Sequence, residues 1–428
     1  MDARPTFPPH QPRGEQPRSL AGVRVVDLSR VLAGPFATQM LGDLGADILK
    51  IENPRAGDDT RWLIAQPNLG GENFFYLALN RNKRSVAVDI NTDEGREIVF
   101  RLLADADVLV ENYTTRVMQR AGLDYEALKD RFPRLIFCSI SAYGRTGRLA
   151  HAGGFDSAIS VEAGVASLNA LPDERPVVGG VPFIDITTAM NATIGILAAL
   201  RARDMPGSET FGKGQFIDIA MYDTAIADLS YKGYQYLASG QNPVSLGRKP
   251  KFGMPGGEFE CADGVVWFTC TTQKMFHALC DHVIDRPELK DDPRFLTIKE
   301  RNENVDEMIA TLEAEFIHHD RAYWGDRLKR AGVPCGEVRL VGEALISRET
   351  EEREMVREIA HPTAGSVPVI ASPVKMSLTP PVDPVAPPLL GQHTAEVLRE
   401  VGYSSADIAR MEQLKVIALH EHPAKDAA

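Results

Sequence analysis

Short, mostly apolar runs recur through the first half of the chain, and stretches with helical spacing separate them. "VRVVDL" (Val23–Leu28), "DILKIE" (Asp47–Glu52), "RSVAVDI" (Arg84–Ile90), "DVLVEN" (Asp107–Asn112) and "RLIFCSIS" (Arg134–Ser141) read as buried strands. "GPFATQMLGDLG" (Gly34–Gly45) reads as a helix closed by glycine, and "TDEGREIVFRLLADA" as one with acidic residues in its first turn. Alternating βα units of this kind imply a parallel sheet covered by helices. Further on, Asp185 stands directly before the long apolar run "ITTAMNATIGILAAL", and "GKGQFIDIAMYDTAIADLSYKGYQYLASG" adds a strand and a long helix.

The texture then changes. "QNPVSLGRKPKFGMPGGEFECADG" is rich in Gly, Pro and Lys and predicts a loop. It leads to the strand "VVWFTC" (Val265–Cys270) and then to mostly helical sequence as far as about Arg330, a second and smaller α+β domain. Proline-rich connections ("SLTPPVDPVAPPLL") and a helix, "HTAEVLREVG", close the pattern, which contains no internal repeat.

Length and charge narrow the options. A chain of 428 residues exceeds what one core usually supports, so two unequal domains are expected. The net charge of −12 leaves no basic excess to neutralise a nucleic-acid backbone, although a few local Arg and Lys residues suffice for a small anionic ligand. No apolar run looks long and uncharged enough to span a membrane, and the polar, proline-rich opening reads as a disordered tail (1–19) rather than a signal peptide. Five scattered cysteines without a CxxC fit a reducing cytoplasm. His277, Cys280 and His282 fall on an amphipathic helix with no matching second ligand group, so no metal is expected. The first strand is not followed by GxGxxG, and neither GxxxxGK[ST] nor GxSxG occurs, which argues against a nicotinamide dehydrogenase, a nucleoside triphosphatase or a serine hydrolase.

Pattern alone makes Asp185 an N-cap, a role contributing about 1 kcal/mol, and a helix N-terminus would favour its ionised form. A resemblance adds to that. "LAGVRVVDLSRVLAGPFATQMLGDLGADILKIENP", "NRNKRSVAVDI", "DVLVENYTTRVMQRAGL", "GGFDSAISVEAG", "GGVPFIDITTAMNATIGILAALRAR", "GKGQFIDIAMYD" and "LLGQHTAEVL" together, and in this order, resemble the family III CoA transferases, a group that includes formyl-CoA:oxalate transferases and 2-methylacyl-CoA racemases.

The resemblance implies an α/β fold: a large Rossmann-like, CoA-binding domain built from both chain ends (20–230 and 340–428) and a small α+β domain (231–339). It implies an interlocked homodimer, with active sites between the large domain of one subunit and the small domain of the other. Acyl-CoA and a carboxylic acid would be the substrates, with no permanently bound cofactor. Asp185 matches the transferase nucleophile, and Asp156 a nearby carboxylate able to orient the reacting groups.

Matching by position, the CoA-binding candidates are Arg30, Val31, Leu32, Ala33, Val88, Asp89, Asn112, Tyr113, Arg120 and Phe155, with Arg55 standing in for an arginine just after the second strand. Leu32 replaces a glutamine of the formyl-CoA enzymes, which points away from the formyl/oxalate pair. Gly253, Gly256 and Gly257 fall where these transferases carry a mobile glycine flap; an ordinary turn is the other reading of that stretch. The racemases carry "GHD" where this chain has "GFD" (Gly154-Phe155-Asp156), so a racemase would have to use Asp185 with His151. The expected activity is therefore CoA transfer between carboxylic acids, the alternatives being a 2-methylacyl-CoA racemase and a CoA-binding protein without catalysis.

Overall fold

The apolar runs of the first half form the parallel strands β1 (Arg24–Asp27), β2 (Asp47–Glu52), β3 (Lys83–Val88), β4 (Val108–Glu111), β5 (Ile136–Ser141) and β6 (Phe216–Ala220). Two more strands, β7 (Val356–His361) and β8 (Gly365–Ile370), pair as an antiparallel hairpin, and the short β9 (Ile417–Ala418) runs antiparallel along β3. The seven-stranded sheet has the order β9-β3-β2-β1-β4-β5-β6. This computed structural model describes residues 5–63, 69–171, 174–245, 247–248 and 255–420. They divide into two units, Met1–Ala163 with Gly179–Tyr231 and Glu349–Ala428, and Gly164–Val178 with Lys232–Arg348.

The strands are mostly apolar because both faces of the sheet are covered, the exceptions being a few buried charges such as Asp27, Lys50, Lys83 and Glu111. Alternate residues turn to opposite sides. Val26, Leu28, Leu49, Ile51 and Val86 enter one core, with Ile98 and Leu102 of the helix Asp93–Ala104 and Val397 and Leu398 near the chain's end. Val25, Ile48, Val108, Ile136 and Cys138 enter the other, with Ala37 and Leu41 of helix α1 (Ala33–Asp43).

Two further helices complete the frame of the site: α2 (Asp156–Glu162) and α3 (Phe183–Asp204). By length and composition α3 could cross a membrane, which corrects the expectation that no run here qualifies. Its residues Ala189, Ala192, Ile196 and Ala199 instead bury against α1 and the sheet, so it serves as a core helix.

Strand order marks where an open α/β sheet usually takes its ligand. From β1 the chain winds to one edge through β2 and β3, then returns to β4 and winds to the other through β5 and β6. The switch point between β1 and β4 leaves a crevice outside their carboxyl ends, the usual ligand position in open α/β sheets. The last turn of α3 sits at the amino ends of the strands, where the Arg203 guanidinium meets Asp107 at 2.8 Å and donates to the Arg134 carbonyl at 3.3 Å, just ahead of β4 and β5. Climbing back to Asp185 covers about 27 Å of helix, whereas a six-residue strand spans about 20 Å. Asp185 therefore emerges past the carboxyl ends, on the crevice side.

The proline-rich opening makes defined contacts from Pro8 onward. Pro9 bridges to Glu358 of β7, His10 Nε2 lies 3.0 Å from Asp383 Oδ1, and the Arg13 N–H donates to Asp383 Oδ2 at 2.8 Å. The second unit holds a three-stranded antiparallel sheet (Gly256–Cys261, Gly264–Thr269, Cys335–Glu337). Its core stacks Phe259, Phe268 and Phe316, with ring centroids 4.9 to 5.3 Å apart.

Candidate active site

After β1 the backbone leaves the sheet and enters α1 within a few residues, and side chains satisfy it group by group. The Ser29 N–H donates to Asp27 Oδ1 (2.9 Å) and the Ser29 carbonyl accepts from Lys50 Nζ (3.0 Å). The Arg30 N–H and carbonyl are bonded reciprocally by the Asn112 amide at 2.8 and 2.7 Å. The Val31 N–H donates to Asp58 Oδ1 at 3.3 Å. Val31 has φ +67°, a left-handed conformation that costs a β-branched residue on the order of 1–3 kcal/mol. Gly34 is required for the close return of the loop: a Cβ there would lie 2.2 Å from Ser29 Cβ. At the crevice, the Arg30 guanidinium lies 4.8 Å from the Tyr113 ring centroid and 3.1 Å from Asp59.

Buried ions carry this loop. Lys50 pairs with Asp58 at 2.9 Å and Lys83 with Asp27 at 3.2 Å, all four side chains being at most 1% exposed. Burial alone would raise the Asp58 carboxyl, but Lys50 and the Thr60 hydrogen bonds hold it down to about 2. Burial pushes Lys83 down to about 8 against the pull of Asp27. On the β4 side, Arg145 donates to Glu111 Oε1 and to the Tyr113 carbonyl, each at 2.8 Å, and to Ser139 Oγ at 2.6 Å. Burial raises Glu111, with Arg145 opposing.

The second group lies above β5 and β6. Gly154 packs on Ala142, just past β5, where an added Cβ would come 2.9 Å from the alanine methyl. That places α2 so that Asp156 Oδ2 accepts the backbone N–H groups of Ile184 (2.8 Å) and Asp185 (3.1 Å). The helix α3 thus starts two residues before Asp185, with Pro182 at its cap position. Asp185 lies in the first turn and is not the cap. Asp156 satisfies the helix N-terminus from outside. The half-buried Asp185 carboxyl is pushed up to about 7 by burial, with the charge of Asp156 adding to it, so the expectation that the helix N-terminus favours its ionised form is also corrected.

The remaining candidates scatter. Leu32 and Ala33 are buried at the start of α1, and Val88 lies inside the core. Asp89 closes a turn by accepting from the N–H and side chain of Asn91. Arg55 and Arg120 are exposed, and Phe155 is 74% exposed just ahead of Asp156. His151 is exposed too, and among the described residues no hydrogen bond joins it to Asp185. Gly256 and Gly257 are not in a flap: both are buried in a strand, paired with Thr269 and Phe268, because the hairpin begins at once. Gly253 lies outside the described residues. Lys50, Asp58, Glu111 and Arg145 escaped sequence reading; Lys50 and Glu111 could have been found as charges inside otherwise apolar strands, whereas Asp58 and Arg145 lie in loops and carry no such signal.

The family model of CoA-transferase family III matches residues 20–394. A succinyl-CoA:glutarate CoA-transferase of Mus musculus is 35% identical, over 94% of this chain and 91% of that protein. An acetyl-CoA:oxalate CoA-transferase of Acetobacter aceti is 36% identical over 86% of this chain and 91% of its own length. The crystal structure of a CAIB/BAIF family protein from Brucella suis superposes with a TM-score of 0.80 at 36% identity, covering 90% of this chain and all (100%) of that one.

The raised Asp185 carboxyl has a measurable consequence. Below about pH 3 it is largely neutral in the folded and unfolded chains alike. As pH rises toward 7 the unfolded chain releases the proton while the folded one retains it, so stability is lost by at most about 1.4 kcal/mol per unit. Asp185→Asn should therefore melt several degrees above the parent at pH 8 and level with it below about pH 3. Equal melting at pH 8 would show an ordinary carboxyl. Asp156→Asn removes the neighbouring charge while keeping an oxygen for the two N–H groups. It should lower the Asp185 midpoint, read by NMR titration of the labelled carboxyl.

Proposed function

Because this chain belongs to CoA-transferase family III and is a CoA transferase, we propose that it moves CoA between carboxylic acids through covalent intermediates on Asp185. One observation carries this reading: a half-buried carboxyl at the first turn of α3, past the carboxyl ends of the sheet, its backbone N–H tied to Asp156. Among the described residues no basic side chain pairs with it, so its ionised oxygens are not committed to a structural ion pair.

A carboxylate oxygen of Asp185 attacks the thioester carbonyl of the donor acyl-CoA; the C–S bond breaks and CoA leaves as thiolate. That thiolate attacks the Asp185 carboxyl carbon of the mixed anhydride, releasing the donor acid and leaving an aspartyl–CoA thioester. The acceptor carboxylate displaces CoA to form a second anhydride. Return of the thiolate to the acceptor's acyl carbon then frees Asp185 and the new acyl-CoA. Each step exchanges one activated acyl bond for another, so the cycle balances without ATP, metal or net proton transfer. Arg30 at the crevice, beside Tyr113 and Asn112, suits a phosphate or the amide-bearing arm of CoA.

Succinyl-CoA and a dicarboxylate acceptor are the substrates we favour, on the chemistry named for the relatives. The helix Ser230–Ser239 buries none of its residues and exposes Tyr231, Tyr234 and Leu237 by 70% or more, so we take a second copy of the chain, interlocked with the first, to cover it. Light scattering that returned a monomer would remove that part.

Asp185→Ala should lower transferase turnover by about 10³-fold or more, and succinyl-CoA should leave a hydroxylamine-sensitive adduct on the parent that the variant lacks, both read by mass spectrometry. Normal turnover in the variant would sink the proposal. In the parent, kcat/KM for the donor should rise with pH through an inflection near 7 as Asp185 ionises. Arg30→Ala should raise the KM for acyl-CoA without abolishing the adduct.

A further inference from the structure

Of the six non-glycine residues with positive φ among the described residues, five are Asn, Ser, Asp, Glu or Lys; Val31 is the β-branched one. Glycine would adopt φ +67° freely, so valine there works against the fold. The strain lies where β1 ends at the switch point and not at a remote turn. Its neighbours are fixed on every side: the five polar backbone groups from the Ser29 N–H to the Val31 N–H each have a side-chain partner, drawn from Asp27, Lys50, Asn112 and Asp58. The Ser29 side chain fills the space a Cβ on Gly34 would need, which prevents the loop from relaxing toward α1.

We infer that Val31 is a pre-strained residue that fixes the shape of the loop for acyl-CoA, and that Lys50 and Asp58 are positioning residues that act through it. The inference rests on the placement of CoA in this crevice. A strained, fully bonded loop presents one conformation, so binding loses little conformational freedom in ordering it. A glycine in its place would give a more stable apo protein with a looser site. Lys50 and Asp58 touch the loop through the Ser29 carbonyl and the Val31 N–H, and their own side chains are buried below it. Their effect on the ligand is therefore indirect.

Three variants and Arg30→Ala test this on the full-length enzyme with succinyl-CoA. Val31→Gly should melt about 1–3 °C higher without ligand, while its KM for succinyl-CoA rises roughly three- to tenfold. The melting shift induced by free CoA should shrink in parallel. Val31→Ala keeps the Cβ that restricts φ, and should raise KM much less than the glycine variant. Asp58→Asn keeps a side-chain oxygen but loses the charge facing Lys50. It should raise KM as glycine does while lowering the melting temperature, and equal loss of affinity with opposite signs of stability is not what general destabilisation produces. If Val31→Gly fails to gain stability, or gains it with KM unchanged while Arg30→Ala raises KM, the inference falls and the CoA placement stands. If Val31→Ala raises KM as much as Val31→Gly, the methyl groups and not the backbone are responsible, and the inference falls. If neither Arg30→Ala nor Val31→Gly changes KM, CoA does not occupy this crevice and the placement itself falls.

Discussion

The Leu28 N–H still donates to the Val110 carbonyl of β4, and the Leu32 carbonyl accepts from α1. From the Ser29 N–H to the Val31 N–H, however, the backbone has neither strand nor helix to bond to, and the switch point sets that gap over the centre of the sheet. An unpaired buried amide or carbonyl costs on the order of 1–3 kcal/mol, so the gap has to be filled. It is filled from below by Asp27, Lys50 and Asp58 and from the side by Asn112. Burying those charges is unfavourable on its own and tolerable only as pairs, which is why Lys50 meets Asp58 and Lys83 meets Asp27 with almost no exposed surface. Removing one partner from such a pair costs about 3–5 kcal/mol. The loop at the carboxyl ends of β1 and β4 is held in one shape by this arrangement.

The same logic recurs at the second site. The N-terminus of α3 also needs acceptors for its free N–H groups, and its cap position holds Pro182, whose side chain cannot accept. Asp156, from α2, supplies the acceptor. One carboxylate thereby does the capping that pattern reading assigned to Asp185, and leaves Asp185 with a carboxyl that has no hydrogen-bond or ion-pair partner among the described residues.

The parallel strands were legible because a sheet buried on both faces writes itself as continuous apolar runs; "DILKIE" was bounded to the residue, and the others to within two. The C-terminal edge strand was not, since two residues against β3 leave no periodicity to read. Asp185 and Asp156 were found through the resemblance, but their division of labour was not, because a helix that begins two residues early turns a cap into a first-turn residue. Gly256 and Gly257 misled for a related reason: glycine pairs inside a strand look, in one dimension, like a flap. Lys50 and Asp58 were hidden by distance, since a residue of β2 and one in the loop after it hold residues that follow β1. No local pattern links them.

A raised carboxyl looks at first like a poor nucleophile, because part of it is protonated near neutral pH. The causes of the shift argue otherwise. Burial and the charge of Asp156 both penalise the ionised form, so the carboxylate that does form is poorly solvated and the more reactive for it. Acylation removes that charge: the anhydride and the aspartyl–CoA thioester are both neutral at Asp185, so repulsion from Asp156 and the cost of desolvation are relieved as the bond forms. On the proposed mechanism the site therefore resists the resting carboxylate and accepts each covalent intermediate. A cation placed against Asp185 would reverse this, securing the ionised resting state and making every acyl transfer onto it uphill. The absence of a basic partner among the described residues around this aspartate is then part of how it would carry an acyl group, and Asp156 acts twice, once on the backbone of Asp185 and once on its charge.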